Sequence, residues 1–264
     1  MAQTLTSSLV ELQRLRLDDA IALLDHDAGA PLPAPDLSPA AYLQALIDGL
    51  CELSLRDPLT GLGNRRHFRS VLERSIDMVA RSGEPALLLM VDIDNFKRVN
   101  DNYGHQAGDQ VLQAIARLLA TSVRQMDTVC RFGGEEFALI LPSCHTSYGT
   151  AVAERIRAHI EAMAIPIAPG LTIHVSVSIG GAFAPEWVRS TTSLWTERAD
   201  MQLYRAKSEG RNCVFLDTQQ EIYVSAEEKS MLFGHLALGE PAWIEGISSD
   251  PTGLHAGAAV QRFI

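Results

Sequence analysis

Six consecutive apolar residues, Ala86-Leu87-Leu88-Leu89-Met90-Val91, are the longest such run in the chain and end directly on Asp92-Ile93-Asp94. The run is far too short to cross a bilayer. Its length and composition instead predict a buried strand over 85–94, which requires a sheet with helices packed on its faces. Two further strands follow at 128–132 and 137–142, joined by Gly133-Gly134-Glu135-Glu136. The double glycine reads as a hairpin turn that uses the positive φ open to glycine. Read alone, the two glutamates are solvated turn residues.

Helical spacing marks the rest of the middle zone. Val111, Leu112, Ile115, Leu118 and Leu119 share one face of a helix over 108–121, and Val152, Ile156, Ile160 and Met163 mark the next. Ile173, Val175, Val177 and Ile179 alternate strictly with Thr172, His174, Ser176 and Ser178, which predicts one half-buried antiparallel strand. A helix at 194–208 and a short strand at 212–216 complete an α+β pattern over 57–216.

The flanks differ. Residues 1–27 show rough helical spacing, AGAPLPAPDLSP at 28–39 is a Pro-rich linker, and Ser38-Pro39 caps a helix running to Leu55. Residues 1–56 are therefore expected to be a helical dimerising or input region. In the 217–264 extension, Ser225 and Glu228 form a capping box for a short helix bearing Met231, Leu232 and Leu236, followed by an irregular tail.

A net charge of −10 argues against nucleic acid held on a broad basic surface. An anionic small molecule is still admissible, given local cations or a metal. The four cysteines have no CxxC spacing, and the N-terminal stretch lacks signal-peptide features, so a reduced, cytoplasmic setting without a membrane span is expected.

Several chemistry-bearing residues recur at suggestive positions. Asp92 ends a strand, where it can meet an acid from the 135–136 turn over Mg²⁺, a hard cation that takes oxygen ligands. Asp94 reads equally as a cap for the helix that follows. Asn100 and Asp109 are side chains able to read a guanine edge, an ionised carboxylate accepting from N1–H and the exocyclic amine. Lys207 and Arg211 lie four apart around Gly210, which reads as a charge-stabilised helix end with a glycine stop.

Taken together, Asp92-Ile93-Asp94, Phe96-Lys97, Asn100, Asp109, the GGEEF hairpin and the closing AKSEGRN resemble the GGDEF-domain diguanylate cyclases over residues 54–216, from DPLTGLGNRRHF to ADMQLYRAKSEGRN. The resemblance implies a mostly antiparallel central sheet wrapped by helices, related to nucleotidyl cyclases and polymerase palms. It implies condensation of two GTP molecules into cyclic di-GMP with release of two pyrophosphates, in a homodimer whose domains each present one GTP. Asp92, Glu135 and the Ile93 carbonyl would hold Mg²⁺ or Mn²⁺, with Glu135 or Glu136 as proton acceptor. Lys97 would stabilise transition-state charge and Phe96 support the phosphate loop. Lys207 and Arg211 would hold the β- and γ-phosphates, Asn100 and Asp109 would recognise guanine, and His105 would sit near the nucleotide. Members making mixed adenine–guanine products carry Ser at the position of Asp109, so this chain is expected to use GTP alone. Arg124 and Asp127 match the family's RxxD inhibitory product site, with Arg155 as a secondary contact. Glu135 replaces the Asp of the family's name, and Gln202 an Ala. The rival expectation is a catalytically silent cyclic di-GMP receptor or scaffold, with a protein partner docking on the N-terminal helices or the tail.

Overall fold

The computed structural model describes residues 15–27, 38–184 and 191–217, all within the first of two compact units, Met1–Gln219. The expected helix at 225–236 and most of the Pro-rich linker lie outside the described residues.

Helix α1 (Asp18–Asp27) packs on α2 (Pro39–Leu55), whose first turn Ser38 caps by accepting from the Ala41 amide. Leu24 fits over Gly49, where a Cβ would collide with it, and Tyr42 and Leu46 complete this small core. Helix α3 (Arg65–Ser82) follows, capped by the Asn64 side chain on the Arg66 and His67 amides. Then come β1 (Leu87–Ile93), α4 (Phe96–Tyr103), α5 (His105–Ser122), β2 (Thr128–Arg131), β3 (Glu136–Leu141) and α6 (Thr146–Ala162). A hairpin of β4 (Ile165–Ala168) and β5 (Leu171–Ile173), strand β6 (Val177–Phe183), helix α7 (Thr192–Ser208) and β7 (Val214–Asp217) close the order.

The main sheet runs β2-β3-β1-β6-β7, antiparallel except for the β6–β7 pair, which α7 connects. Strand β1 is the middle strand and wholly buried. Its side chains alternate between two cores, as the period of two requires. Leu87, Leu89, Val91 and Ile93 meet α5 and α6 through Val111, Ile115, Val152 and Ile156. Leu88 and Met90 meet α3 and α7 through Phe68, Leu72, Trp195 and Leu203. Asp92 shares the parity of Leu88 and Met90, so it belongs to the α7 side. Helix α7 lies unusually close there, because a Cβ on Gly180 of β6 would collide with the Leu203 backbone. The Trp195 indole N–H donates to the Ala182 carbonyl (2.7 Å) and pins the start of that helix.

Three expectations need correction. The strand foreseen at 172–179 is two: β5 pairs with β4 in a separate two-stranded sheet, and β6 is buried throughout rather than half-buried. The break falls at Ser176, whose carbonyl accepts from the Asp94 amide (2.9 Å). Asp94 does not cap α4; Asn95, left-handed at φ 55°, stands at that cap without a side-chain bond. Nor does the hairpin use positive φ, since neither Gly133 nor Gly134 lies in the left-handed range. At Gly133 a Cβ would sit 2.6 Å from the Glu136 carboxylate, the movable end of that side chain. Helix α3 and the β4–β5 hairpin were not foreseen.

Candidate active site

The acids gather at the end of the middle strand. Asp92 is directly opposite Glu136 on β3 and Ser178 on β6. The Ile93 amide donates to the Glu135 carbonyl (3.3 Å), which lays the turn against the end of β1. Asp92 is 4% exposed, and burial raises its pKa although a hydrogen bond from Lys207 pulls the other way. Burial, then the charge of Asp92, holds the Glu135 carboxyl above its ordinary value. Two unlike causes thus act in one direction: scarce water and a neighbouring like charge.

Lys207, in the last turn of α7, places its ammonium 2.7 Å from Asp92 Oδ2. The resemblance assigned this side chain to phosphate; here its partner is the acid. Arg211 stands beyond the helix, left-handed at φ 67°, after Gly210 at φ 115°. Lys207 and Arg211 therefore do not share a helix face. Lys97 and Arg211 are both exposed and form no ion pair with a described residue. The glycine stop and the basic last turn agree with the sequence reading.

Helices α4 and α5 meet at Gly104, which turns the chain with φ 82°. Asn100 and Gly108 touch so closely that any Cβ on Gly108 would collide with the Asn100 carbonyl oxygen and crowd Phe96. Asp109 and His105 lie one turn apart on α5, both exposed. Lys97 and Asn100 lie one turn apart on α4. The junction thus brings Asn100 against Gly108, the residue before Asp109.

Two residues outside the predicted set complete the centre. Asp94 is 6% exposed and accepts from the Ser176 hydroxyl (2.7 Å), the Ser178 hydroxyl (2.6 Å) and the Asn212 amide (3.0 Å). It ties the end of β1 to the loop carrying Arg211. Asp200, two turns before Lys207, has its pKa raised by desolvation and then by Glu136. The serines facing Asp94 were visible in the alternating pattern but looked like solvent-facing positions.

The donor set of Asp92, Glu135 and the Ile93 carbonyl is all oxygen, which fits Mg²⁺ or Mn²⁺, and Lys207 already marks Asp92 as a seat for a cation. Among the described residues no group of three His, Cys, Asp or Glu could hold a metal ion. A bound ion there would draw its remaining ligands from phosphate and water.

Away from this centre, the Arg124 amide donates to Asp127 Oδ2 (2.8 Å), and the Arg124 guanidinium stacks 3.8 Å over the Tyr148 ring. Arg155 on α6 donates to the Ser122 carbonyl (2.8 Å), at the end of α5. The three residues matched to the inhibitory site are brought to one region, with Tyr148 as an unforeseen platform. Burial raises the Asp127 pKa.

The family model for "Diguanylate cyclase, GGDEF domain" matches residues 54–213. The chain belongs to the GGDEF-domain family. This GGDEF chain is 41% identical over 175 residues to the response regulator PleD of Caulobacter vibrioides, covering 66% of itself and 38% of PleD. It is 43% identical over 159 residues to the diguanylate cyclase DgcP of Pseudomonas aeruginosa, covering 60% of itself and 23% of DgcP. It thus spans less than half the length of these curated relatives. Among solved structures, it resembles the diguanylate cyclase SiaD in complex with its activator SiaC from Pseudomonas aeruginosa, with TM-score 0.62 and 33% identity over 76% of this chain and 72% of that one. It also resembles the coiled coil and GGDEF domain of DgcB from Caulobacter crescentus in complex with c-di-GMP, with TM-score 0.63 and 28% identity over 76% and 97% of the two chains. Among the described residues no helix is long and apolar enough to cross a membrane.

Proposed function

We propose that this GGDEF chain is a diguanylate cyclase that joins two GTP molecules into cyclic di-GMP and releases two pyrophosphates. The observation that carries the reading is the meeting of Asp92, Glu135 and Lys207 at one strand end, with Lys207 2.7 Å from Asp92. In this reading the 3′-hydroxyl of each GTP attacks the α-phosphate of the other, and pyrophosphate leaves. Mg²⁺ or Mn²⁺ held by Asp92, Glu135 and the Ile93 carbonyl would supply charge neutralisation on the phosphates and a more acidic hydroxyl. Lys207 exchanges Asp92 for phosphate, and Arg211 and Lys97 add positive charge from the α7 loop and from α4. Asn100 and Asp109 hold guanine by its hydrogen-bonding edge. His105 lines the same mouth, and Phe96 packs beneath it. Glu135, whose proton affinity is raised, and Glu136 beside Asp92 are the two candidates to accept the hydroxyl proton.

One chain offers half a site, so the reading requires a homodimer. Supporting this, α2 carries Ala40, Leu43, Ile47 and Leu50 at alternating three- and four-residue spacing; Leu43 and Leu50 also pack against the α1–α2 core, and Ile47 is exposed. Product would return to Arg124, Asp127 and Arg155 as inhibitor. A protein activator docking on the N-terminal helices is in keeping with the SiaD–SiaC complex. Burial raises the thiol pKa of Cys130 to about 12 and of Cys144 to about 11, which keeps both protonated and outside this chemistry.

Purified protein is expected to convert GTP to cyclic di-GMP with Mg²⁺, and Glu135→Gln combined with Glu136→Gln to abolish conversion. An unchanged rate in the double variant sinks the assignment. Binding of cyclic di-GMP without any turnover by the unaltered protein points to the receptor instead.

A further inference from the structure

One part-buried ion pair reaches the acidic turn. Asp57 and Arg131 are each 17% exposed, and Arg131 Nη1 lies 3.2 Å and 3.3 Å from the two Asp57 oxygens. The same guanidinium donates through Nη2 (2.8 Å) and Nε (3.3 Å) to the carbonyl of Gly134, the residue before Glu135. Asp57 is itself held: its Oδ1 accepts from the Thr60 amide (3.0 Å) and hydroxyl (2.6 Å). Its loop is anchored at both ends. The Asn64 amide group donates to the Ser54 (2.8 Å) and Arg56 (3.1 Å) carbonyls at the end of α2. Gly63 donates to Val129 (3.2 Å) and accepts from Arg131 (2.8 Å) along β2.

A guanidinium is planar, with donors in a fixed fork. Gripping a carboxylate with one arm and a carbonyl with the others fixes the peptide plane between Gly134 and Glu135. Around Gly134 there is open space, since a Cβ there would find nothing within 4 Å. The turn's other backbone bonds run from the Phe132 (2.8 Å) and Gly133 (3.2 Å) amides to the Glu136 carbonyl and from the Ile93 amide to the Glu135 carbonyl (3.3 Å), and they leave the Gly134 carbonyl to Arg131. Rotation of that plane would carry Glu135 away from Asp92.

We propose that Arg131, set in place by Asp57, is a positioning residue that fixes the acidic turn, and through it Glu135, for cyclisation. The inference rests on the cyclase reading for its kinetic consequence, but the grip on the turn exists without it. Two mild variants of the full chain test it. Asp57→Asn keeps the acceptor for Thr60 and loses the charge; Arg131→Lys keeps the charge and loses the fork. Amide hydrogen exchange over residues 133–136, measured without metal or nucleotide, is expected to quicken about 10-fold in both, at a melting temperature close to that of the unaltered protein. With GTP, kcat is expected to fall on the order of 10- to 100-fold while KM moves little, as for a misplaced reacting group. Arg131→Ala should show the same pattern more strongly. Should that variant fail to fold, the two mild ones decide. Exchange at 133–136 equal to that of the unaltered protein overturns the proposal, as does a kcat that falls only in step with the folded fraction. Faster exchange in variants of a protein that never converts GTP upholds the grip and removes the cyclase reading instead.

Discussion

Burial holds the Asp92 carboxyl above the ordinary carboxylate range although Lys207 lies against it. The sign of the consequence follows from linkage. Between its unfolded and its higher folded pKa the native state binds more protons, so stability falls as pH rises through that window. Above the folded pKa the full penalty of the buried charge remains. At neutral pH the metal-free protein therefore carries an acid that costs it stability, as sites tuned for binding commonly do. Asp92→Asn should raise the melting temperature of the metal-free protein by a few degrees, with the gain shrinking as pH is lowered into the carboxylate range. Lys207, about one-third exposed, stays hydrated when its partner is neutralised. Calorimetric titration of the same variant should show Mn²⁺ binding lost. A variant that melts lower at neutral pH would contradict the sign. The residue types at this centre were legible in the sequence, because the motif places them at fixed spacing. What was hidden is that Lys207 pairs with an acid, since pairing depends on how near α7 comes to β1.

The approach of α7 is an element-scale property and hangs on Gly180. An added methyl has no room against the Leu203 backbone, so one of the two elements must move. Gly180→Ala is expected to destabilise the fold by about 3 kcal/mol, read from the urea midpoint at unchanged slope, and to loosen Lys207 from Asp92. A loss under about 0.5 kcal/mol would mean that the contact gives way freely. At this scale the middle strand and its neighbours were legible, because continuous apolar runs admit few alternatives. The segment 172–179 was not. Ser176 and Ser178 sit at the alternating polar positions, yet both serve Asp94 inside the protein rather than water outside it. A period of two cannot distinguish a polar residue facing solvent from one facing a buried carboxylate. Nor can composition reveal that Gly133 does without positive φ and lies against the Glu136 carboxylate.

At the scale of the whole molecule, the proposed function would have the N-terminal helices bring two half-sites together. Ile47 is 53% exposed on α2, between Leu43 and Leu50, which are partly buried against the α1–α2 core. Ile47→Glu should shift the protein towards monomer in sedimentation and lower its specific activity at dilute concentration, with recovery as concentration rises. Dimers and activity both unchanged would place the contact elsewhere. A net charge of −10 would oppose the same encounter, since two acidic chains repel, and added salt should ease their approach if the dimer of the proposed function forms.

The hub at Asp94 has a bearing on how the protein is made. Asp94 sits at the end of the strand around which the sheet is built, but one of its three partners, the Asn212 amide, is translated more than a hundred residues later. Lys207 and Arg211 arrive with that same late segment. A nascent chain that has finished β1 therefore carries Asp92 without its counter-ion and Asp94 without its third partner until this late segment is made. On the cyclase reading, a fragment that stops short of α7 would also lack Lys207 and Arg211, and so would hold nucleotide poorly.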